Sequence, residues 1–270
     1  RMARIGPLVE DVLGRHDYPE AVAALLGEAL ALTATLAGAL KFDGIFTFQI
    51  QGNGPVSLLV VDANTKGEDE ASMELRGYAK YDATRLPDET VDDVRVLIGE
   101  GHLAFTVDQG DDMDRYQGLV AIEGSTLAEC AQHYFRQSQQ LDAAVMLACG
   151  RVDTGADGDA VWRASGLLLQ RVADGDIIIP PSDDGDDPWR RAMMLMATGT
   201  DVEMLDPELP AARYLHRLFH QESLRVSPPR PLRRGCRCSA DRVINVLRSM
   251  PRAEIVELAE AGVLEVTCEF

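Results

Sequence analysis

Cysteine is scarce in this sequence: five among 270 residues, an odd number that leaves no even disulfide framework. That usage fits a reducing compartment, where closely spaced cysteines serve metal or redox chemistry rather than stapling. There is no uninterrupted run of about 18 or more apolar residues, so no membrane span is expected. No charged-then-apolar leader opens the chain at Arg1, and the expected location is the cytoplasm. The sequence also lacks His-Glu-x-x-His, a nucleophile elbow, a phosphate loop and a Cys-x-x-Cys opening a helix, so the reading is of a protein that is not an enzyme. Excess positive charge is missing too. A net charge of −18 argues against nucleic acid as the main partner, because phosphate contact needs clustered Lys and Arg.

The charge is unevenly spread. Between Arg213 and Arg252 stand ten arginines against Glu222 and Asp241, so this stretch carries +8 and the remainder −26. Such asymmetry points to a basic module that docks on an acidic body or binds something acidic. With 46% hydrophobic residues, the chain has core enough for one large domain and a smaller one.

Periodicity predicts a helix over Pro19–Leu40, with Val22, Leu25, Leu26, Ala29 and Leu32 on a broad apolar face. From Phe42 the period changes. Strands are expected at 45–50 and 56–62 across the turn Gln51-Gly52-Asn53-Gly54-Pro55, and again at 71–81, 102–108 and 117–123. A helix over 126–139 and strands at 143–149 and 160–171 follow. Strands dominate and helices cover them, so the expected class is α+β: a large, mostly antiparallel sheet domain, a helical linker and a small C-terminal zinc-binding module. Residues 174–187 hold six Asp with Gly175, Pro180, Pro181 and Gly185, and 227–231 reads Ser-Pro-Pro-Arg-Pro. These interruptions divide the chain into a core (1–176), a linker with helices at 188–198 and 207–222 (177–231), and the module (232–270).

The module carries the chemistry. Cys236-Arg237-Cys238 is followed, after 29 residues, by Cys268. Ser239 caps a helix striped with Val243, Val246, Leu247 and Met250 and ended by Pro251. A second helix presents Ile255, Leu258 and Ala259 and stops at Gly262, and a strand over 263–267 brings Cys268 back toward the first pair. Three thiols so placed are most of a four-thiolate zinc site, with the fourth ligand expected just beyond Phe270. Cys130 and Cys149 read as buried small hydrophobes. A two-Cys, two-His site borrowing His216 and His220 is an alternative set. Met193, Met194, Met196 and Met204 fill core in one reading; in the other, Met193, Met194 and Met196 form an adaptable apolar surface for varied partners.

These residues together resemble the redox-regulated holdase chaperones, the family of the heat-shock protein of thirty-three kilodaltons (33 kDa chaperonin). The resemblance runs through Leu26-Gly27-Glu28-Ala29, Lys41-Phe42-Asp43-Gly44, Gln51-Gly52-Asn53-Gly54-Pro55-Val56 and Leu59-Val60-Val61-Asp62. It continues through Arg115-Tyr116-Gln117-Gly118, Tyr134-Phe135-Arg136-Gln137-Ser138, Trp162-Arg163-Ala164, Gly166-Leu167-Leu168-Leu169-Gln170, Leu218-Phe219-His220 and Cys236-Arg237-Cys238-Ser239. The resemblance implies one zinc per chain on Cys236, Cys238, Cys268 and a fourth thiolate, and a zinc-bound, inactive reduced form. Oxidation to disulfides then releases zinc and unfolds module and linker. A homodimer captures unfolding client proteins without ATP. Gln139 departs from the family pattern, which has Glu there, and the family has a stretch before Arg1 that adds an edge strand. The alternative functions are a zinc-dependent nucleic-acid-binding protein, resting on the +8 stretch, and a thiol enzyme.

Overall fold

The computed structural model describes the chain apart from residues 41, 67–71, 89–90, 92, 111–114, 140–141, 154–159, 172–186 and 260–262. In chain order it forms β1 (Met2–Ile5), α1 (Pro7–Leu13), α2 (Glu20–Ala39), β2 (Ile45–Gly52), β3 (Val56–Asn64), β4 (Met73–Tyr81), α3 (Val94–Ile98), β5 (Gly101–Asp108) and β6 (Tyr116–Ala121). Then come α4 (Leu127–Tyr134), β7 (Ala143–Val152), β8 (Val161–Gln170), α5 (Pro188–Met196), α6 (Asp201–Leu205), α7 (Ala211–Phe219), β9 (Leu232–Arg234), α8 (Ala240–Ser249) and α9 (Arg252–Leu258). The strands make two sheets, β1-β8-β7 and β6-β5-β2-β3-β4-β9, antiparallel except for the β4–β9 pair. The chain is α+β, as expected.

Helix α2 lies between the sheets and contacts β7 and β8 on one side and β3 and β4 on the other. Its burial follows from that position: fourteen of its residues are buried, too many for a single apolar stripe. Thr33 and Thr35 are tolerated inside because each hydroxyl donates to the carbonyl four residues back, at 2.7 Å. By length and composition α2 would pass for a membrane span, with a mean hydropathy of 1.7; here both sheets cover it. The count of uninterrupted apolar residues misses this because Glu28, glycines and threonines break the run.

The small sheet is apolar on both faces. Toward α2 it turns Ala3, Ile5, Val145, Ala164 and Leu168, which join the main core. Its outer face carries Met2, Ala144, Met146, Ala148 and Leu167, and these are covered by Met196, Met204, Tyr214, Leu218 and Phe219 of α5–α7. The period of two along each strand places the two sets.

Several expectations change in detail. The helix expected over 126–139 is α4, started by a Thr126–Glu129 capping box, followed by a π turn over Phe135–Gln139. The helix expected over 207–222 starts later, after Pro210, because Asp206–Leu209 forms a turn. The strand expected over 263–267 is a single bridge residue, Val263, followed by irregular chain; at 69% exposure Val263 has no core to pack on. Elements β1, α1, α3, α6 and β9 were not foreseen. Strand β9 forms where the Pro-rich 227–231 run forbids helix and the edge of β4 is open to pairing. The acidic stretch ahead of Asp187, the stop at Gly262 and the side chain of Gln139 lie outside the described residues.

Gly166 of β8 crosses α2 closely: a Cβ there would stand 2.5 Å from Thr35 Oγ1 and 3.0 Å from the Ala31 carbonyl oxygen, whereas one on Gly38 would meet nothing within 4 Å. Gly166→Ala should therefore lower the urea unfolding free energy by about 1–3 kcal/mol. Gly38→Ala should leave it unchanged or raise it by about 0.5–1 kcal/mol.

Candidate metal centre

Strand β9 delivers the first two thiols. It runs parallel to β4, and the Gly235 N–H extends the ladder by donating to the Leu75 carbonyl at 2.9 Å. Gly235 fits where a Cβ would come within 2.6 Å of Glu74 Cβ. Just past the pair, the Ser239 hydroxyl accepts from the Arg242 N–H at 3.2 Å and starts α8. The returning chain is held just past Cys268: His16 Nε2 lies 2.9 Å from the Glu269 carbonyl, and the Phe270 ring sits 4.0 Å beneath the Arg76 guanidinium.

The sulfurs of Cys236, Cys238 and Cys268 meet within 4.8 Å of one another. Cys236 and Cys268 are 3.9 Å apart, Cys238 and Cys268 3.1 Å. Sulfurs bound tetrahedrally at about 2.3 Å from zinc would stand about 3.8 Å apart, so the first separation already fits. The second is a thiol-to-sulfur hydrogen bond. The Cys238 N–H points at Cys236 Sγ from 3.5 Å and, with a smaller contribution from Arg76, holds that thiol below its ordinary range. Cys238 is pushed up to about 11, chiefly because it donates to the Cys268 sulfur. Close sulfurs that compete for protons in this way suit a soft divalent cation, which takes them all as thiolates. The residues present therefore fit three corners of a zinc site, and among the described residues no fourth His, Cys or carboxylate joins them.

The cluster is anchored through a buried charge. Asp62 on β3 is only 6% exposed. Its carboxylate accepts from Thr47 Oγ1 at 2.6 Å and from Arg76 Nε and Nη2 at 2.9 and 2.6 Å. Arg237, the residue between the paired cysteines, approaches the same carboxylate at 3.9 Å. Nearby, Arg234 pairs with Asp11 at 2.6 Å and Arg230 donates to the Ser72 carbonyl at 2.8 Å. The basic stretch is thus turned onto the acidic body. Asp62, Arg76, His16 and Phe270 were not anticipated as site residues; a lone acid in the apolar run Leu58–Val61 was the available signal for Asp62.

The other candidates fall elsewhere. His216 and His220 sit side by side on α7, rings 6.0 Å apart, and do not join the thiols, so the two-Cys, two-His set is not assembled. Cys130 is buried, which pushes its thiol up to about 11, and burial raises Cys149 further. Met196 is 2% exposed beneath α5, while Met193 and Met194 are exposed at 36% and 57%.

Comparison with known proteins agrees with this geometry. The family model described as Hsp33 protein matches residues 1–270. A 33 kDa chaperonin of Caulobacter vibrioides is 42% identical over 275 residues, covering 100% of this chain and 87% of the relative. One from Shewanella loihica is 37% identical over 262 residues, covering 97% and 82%. The crystal structure of a 33 kDa chaperonin homologue from Thermotoga maritima superposes with a TM-score of 0.74 at 22% identity, covering 100% and 87%, a likeness of fold.

Replacing Asp62 by Asn would leave Arg76 and Arg237 facing each other without a counter-charge. Stability to urea should fall by about 2–4 kcal/mol, while Thr47→Ala should cost about 1 kcal/mol. In metal-free protein at neutral pH, alkylation followed by mass spectrometry should label Cys236, exposed and with its thiol lowered, at least about tenfold faster than the buried, raised Cys130 and Cys149.

Proposed function

Because this chain belongs to the Hsp33 protein family, we propose that it is a redox-regulated, ATP-independent holdase chaperone of the cytoplasm, acting on unfolding proteins as a homodimer. In this reading residues 1–176 form the chaperone core, 177–231 a releasable linker and 232–270 a zinc-dependent redox module. The observation that carries it is the cluster of three solvent-reachable thiols drawn from both ends of a module with almost no core of its own. Helices α8 and α9 bury no residue, and Val246, Val256 and Leu258 are 57–65% exposed. So small an element needs a cross-link to stay folded.

Cys236, Cys238 and Cys268, with a fourth thiolate following Phe270, would hold the zinc. When bound, zinc keeps the sulfurs as thiolates and contributes on the order of 10–16 kcal/mol to folding of such a site. Hydrogen peroxide that takes two electrons from the Cys236 and Cys238 thiolates joins their sulfurs in a disulfide and is itself reduced to two waters, drawing two protons from solvent. The disulfide across a single residue closes a small, readily reduced ring. It also reorients Arg237, the residue between the sulfurs, away from Asp62. With the module no longer docked, α5–α7 are free to leave the small sheet. Its outer face then exposes Met2, Ala144, Met146, Ala148 and Leu167, and the linker adds Met196 and Met204 to the surface begun by Met193 and Met194. Contiguous apolar area of this kind captures unfolding chains without sequence preference. Cys130 and Cys149, buried with raised thiols, stay out of the exchange.

The test follows zinc with a chelating dye and the light scattering of a heat-denatured client, before and after peroxide. The expected result is about one zinc released per full-length chain together with suppression of aggregation. Suppression that is absent after complete zinc release, or already full in the reduced protein, would contradict the reading. Cys238→Ser should lose tight zinc binding and suppress aggregation without peroxide.

A further inference from the structure

We propose that Arg4 is the clamp that seats the linker on the small sheet. The proposal rests on the reading of 177–231 as a releasable linker. Strand β1 is short and two-faced: Ala3 and Ile5 join the main core, while Met2 packs with α5–α7. Arg4, on the Met2 side, reaches past the seam to the end of α6. Its Nε donates to the Met204 carbonyl at 3.0 Å, and its Nη2 to those of Glu203 at 3.1 Å and Asp206 at 2.5 Å. Its Nη1 donates to the Leu209 carbonyl.

One guanidinium thus collects four main-chain acceptors from 203–209. The last carbonyls of a helix have no partner within it and form the negative end of its dipole. A planar fork with five N–H donors can serve several of them at once, which the point charge of a lysine cannot. Around it, the contact between α5–α7 and the small sheet is apolar packing, which has no comparable directional demand. The acceptors are backbone atoms whose mutual placement exists only while α6 and the turn after it are folded. Unwinding α6 scatters all four together, so the clamp holds fully or lets go fully. Burial holds the guanidinium below its ordinary range, the Asp206 charge works against that and the like charge of Arg163 adds to it. The contact is therefore made between the first strand of the core and the middle of the linker, far along the chain from the thiols.

The experiment uses the full-length, reduced, zinc-loaded protein and its Arg4→Gln and Arg4→Lys variants. Trypsin cleavage is followed by mass spectrometry at Arg190, Arg191, Arg213 and Arg217 in the linker helices, and at Arg151 and Arg163 in β7 and β8 as internal controls. Loss of the charged hydrogen bonds should speed linker cleavage about tenfold or more in Arg4→Gln. Arg4→Lys should fall between that variant and the wild type, and the control sites should be unchanged. Linker cleavage at the wild-type rate would overturn the clamp. So would equal acceleration at all six sites, which would mean that β1 had merely come loose. Client aggregation in the same samples reads the functional assignment separately: a loosened linker that suppresses nothing keeps the clamp and overturns the holdase reading.

Discussion

A β-sheet with two apolar faces must be covered twice, and the arrangement of this protein follows from that requirement. Helix α2 covers one face of β1-β8-β7, and among the described residues the other face is covered by α5–α7. The second cover comes from helices of only 5–9 residues, too short to be stable by themselves. They are stable on the sheet and the sheet is protected by them. A cover built this way is separable by design of the chain: its loss uncovers an apolar face while the α2 core, with its own sheets, remains closed.

The thiol cluster sits on the other sheet. Strand β9 borrows the open edge of β4, and the paired cysteines follow it directly. They are anchored at Asp62, a carboxylate buried against Arg76 and Thr47, with Arg237 completing the set. Burying a charge is costly unless every partner stays in place. Arg237 lies between the two cysteines and 3.9 Å from that carboxylate, so in the proposed function a disulfide at Cys236 and Cys238 would act on a buried charge. The thiols and the apolar seam lie on different sheets, joined in the chain by the segment between α7 and β9.

Much of this could be read from the sequence. The strands of the large sheet followed from alternation and turn residues, and the three thiols from their spacing and the Ser239 cap. Other parts could not, for physical reasons. Strand β1 is four residues long and becomes a strand only by pairing with β8; no local period marks it. Met196 has the flexible, apolar character of a surface residue and is nonetheless buried, because its fate depends on a sheet face about 50 residues earlier in the chain. The strand expected before Cys268 has the right β-branched residues but makes only the single bridge at Val263, and Leu264–Thr267 stays irregular. Asp62 and Arg4 act through contacts 14 to 205 residues away, which a one-dimensional pattern does not carry.

The central claim is that the state of the thiol cluster decides whether α5–α7 stay on the small sheet. Hydrogen–deuterium exchange across 188–219 in the full-length protein, read before and after peroxide and set against zinc release, tests it most directly. The account predicts protected amides in the reduced, zinc-loaded protein and loss of that protection in step with zinc release, while α2 stays protected. Linker amides that remain protected after all zinc has left would contradict it.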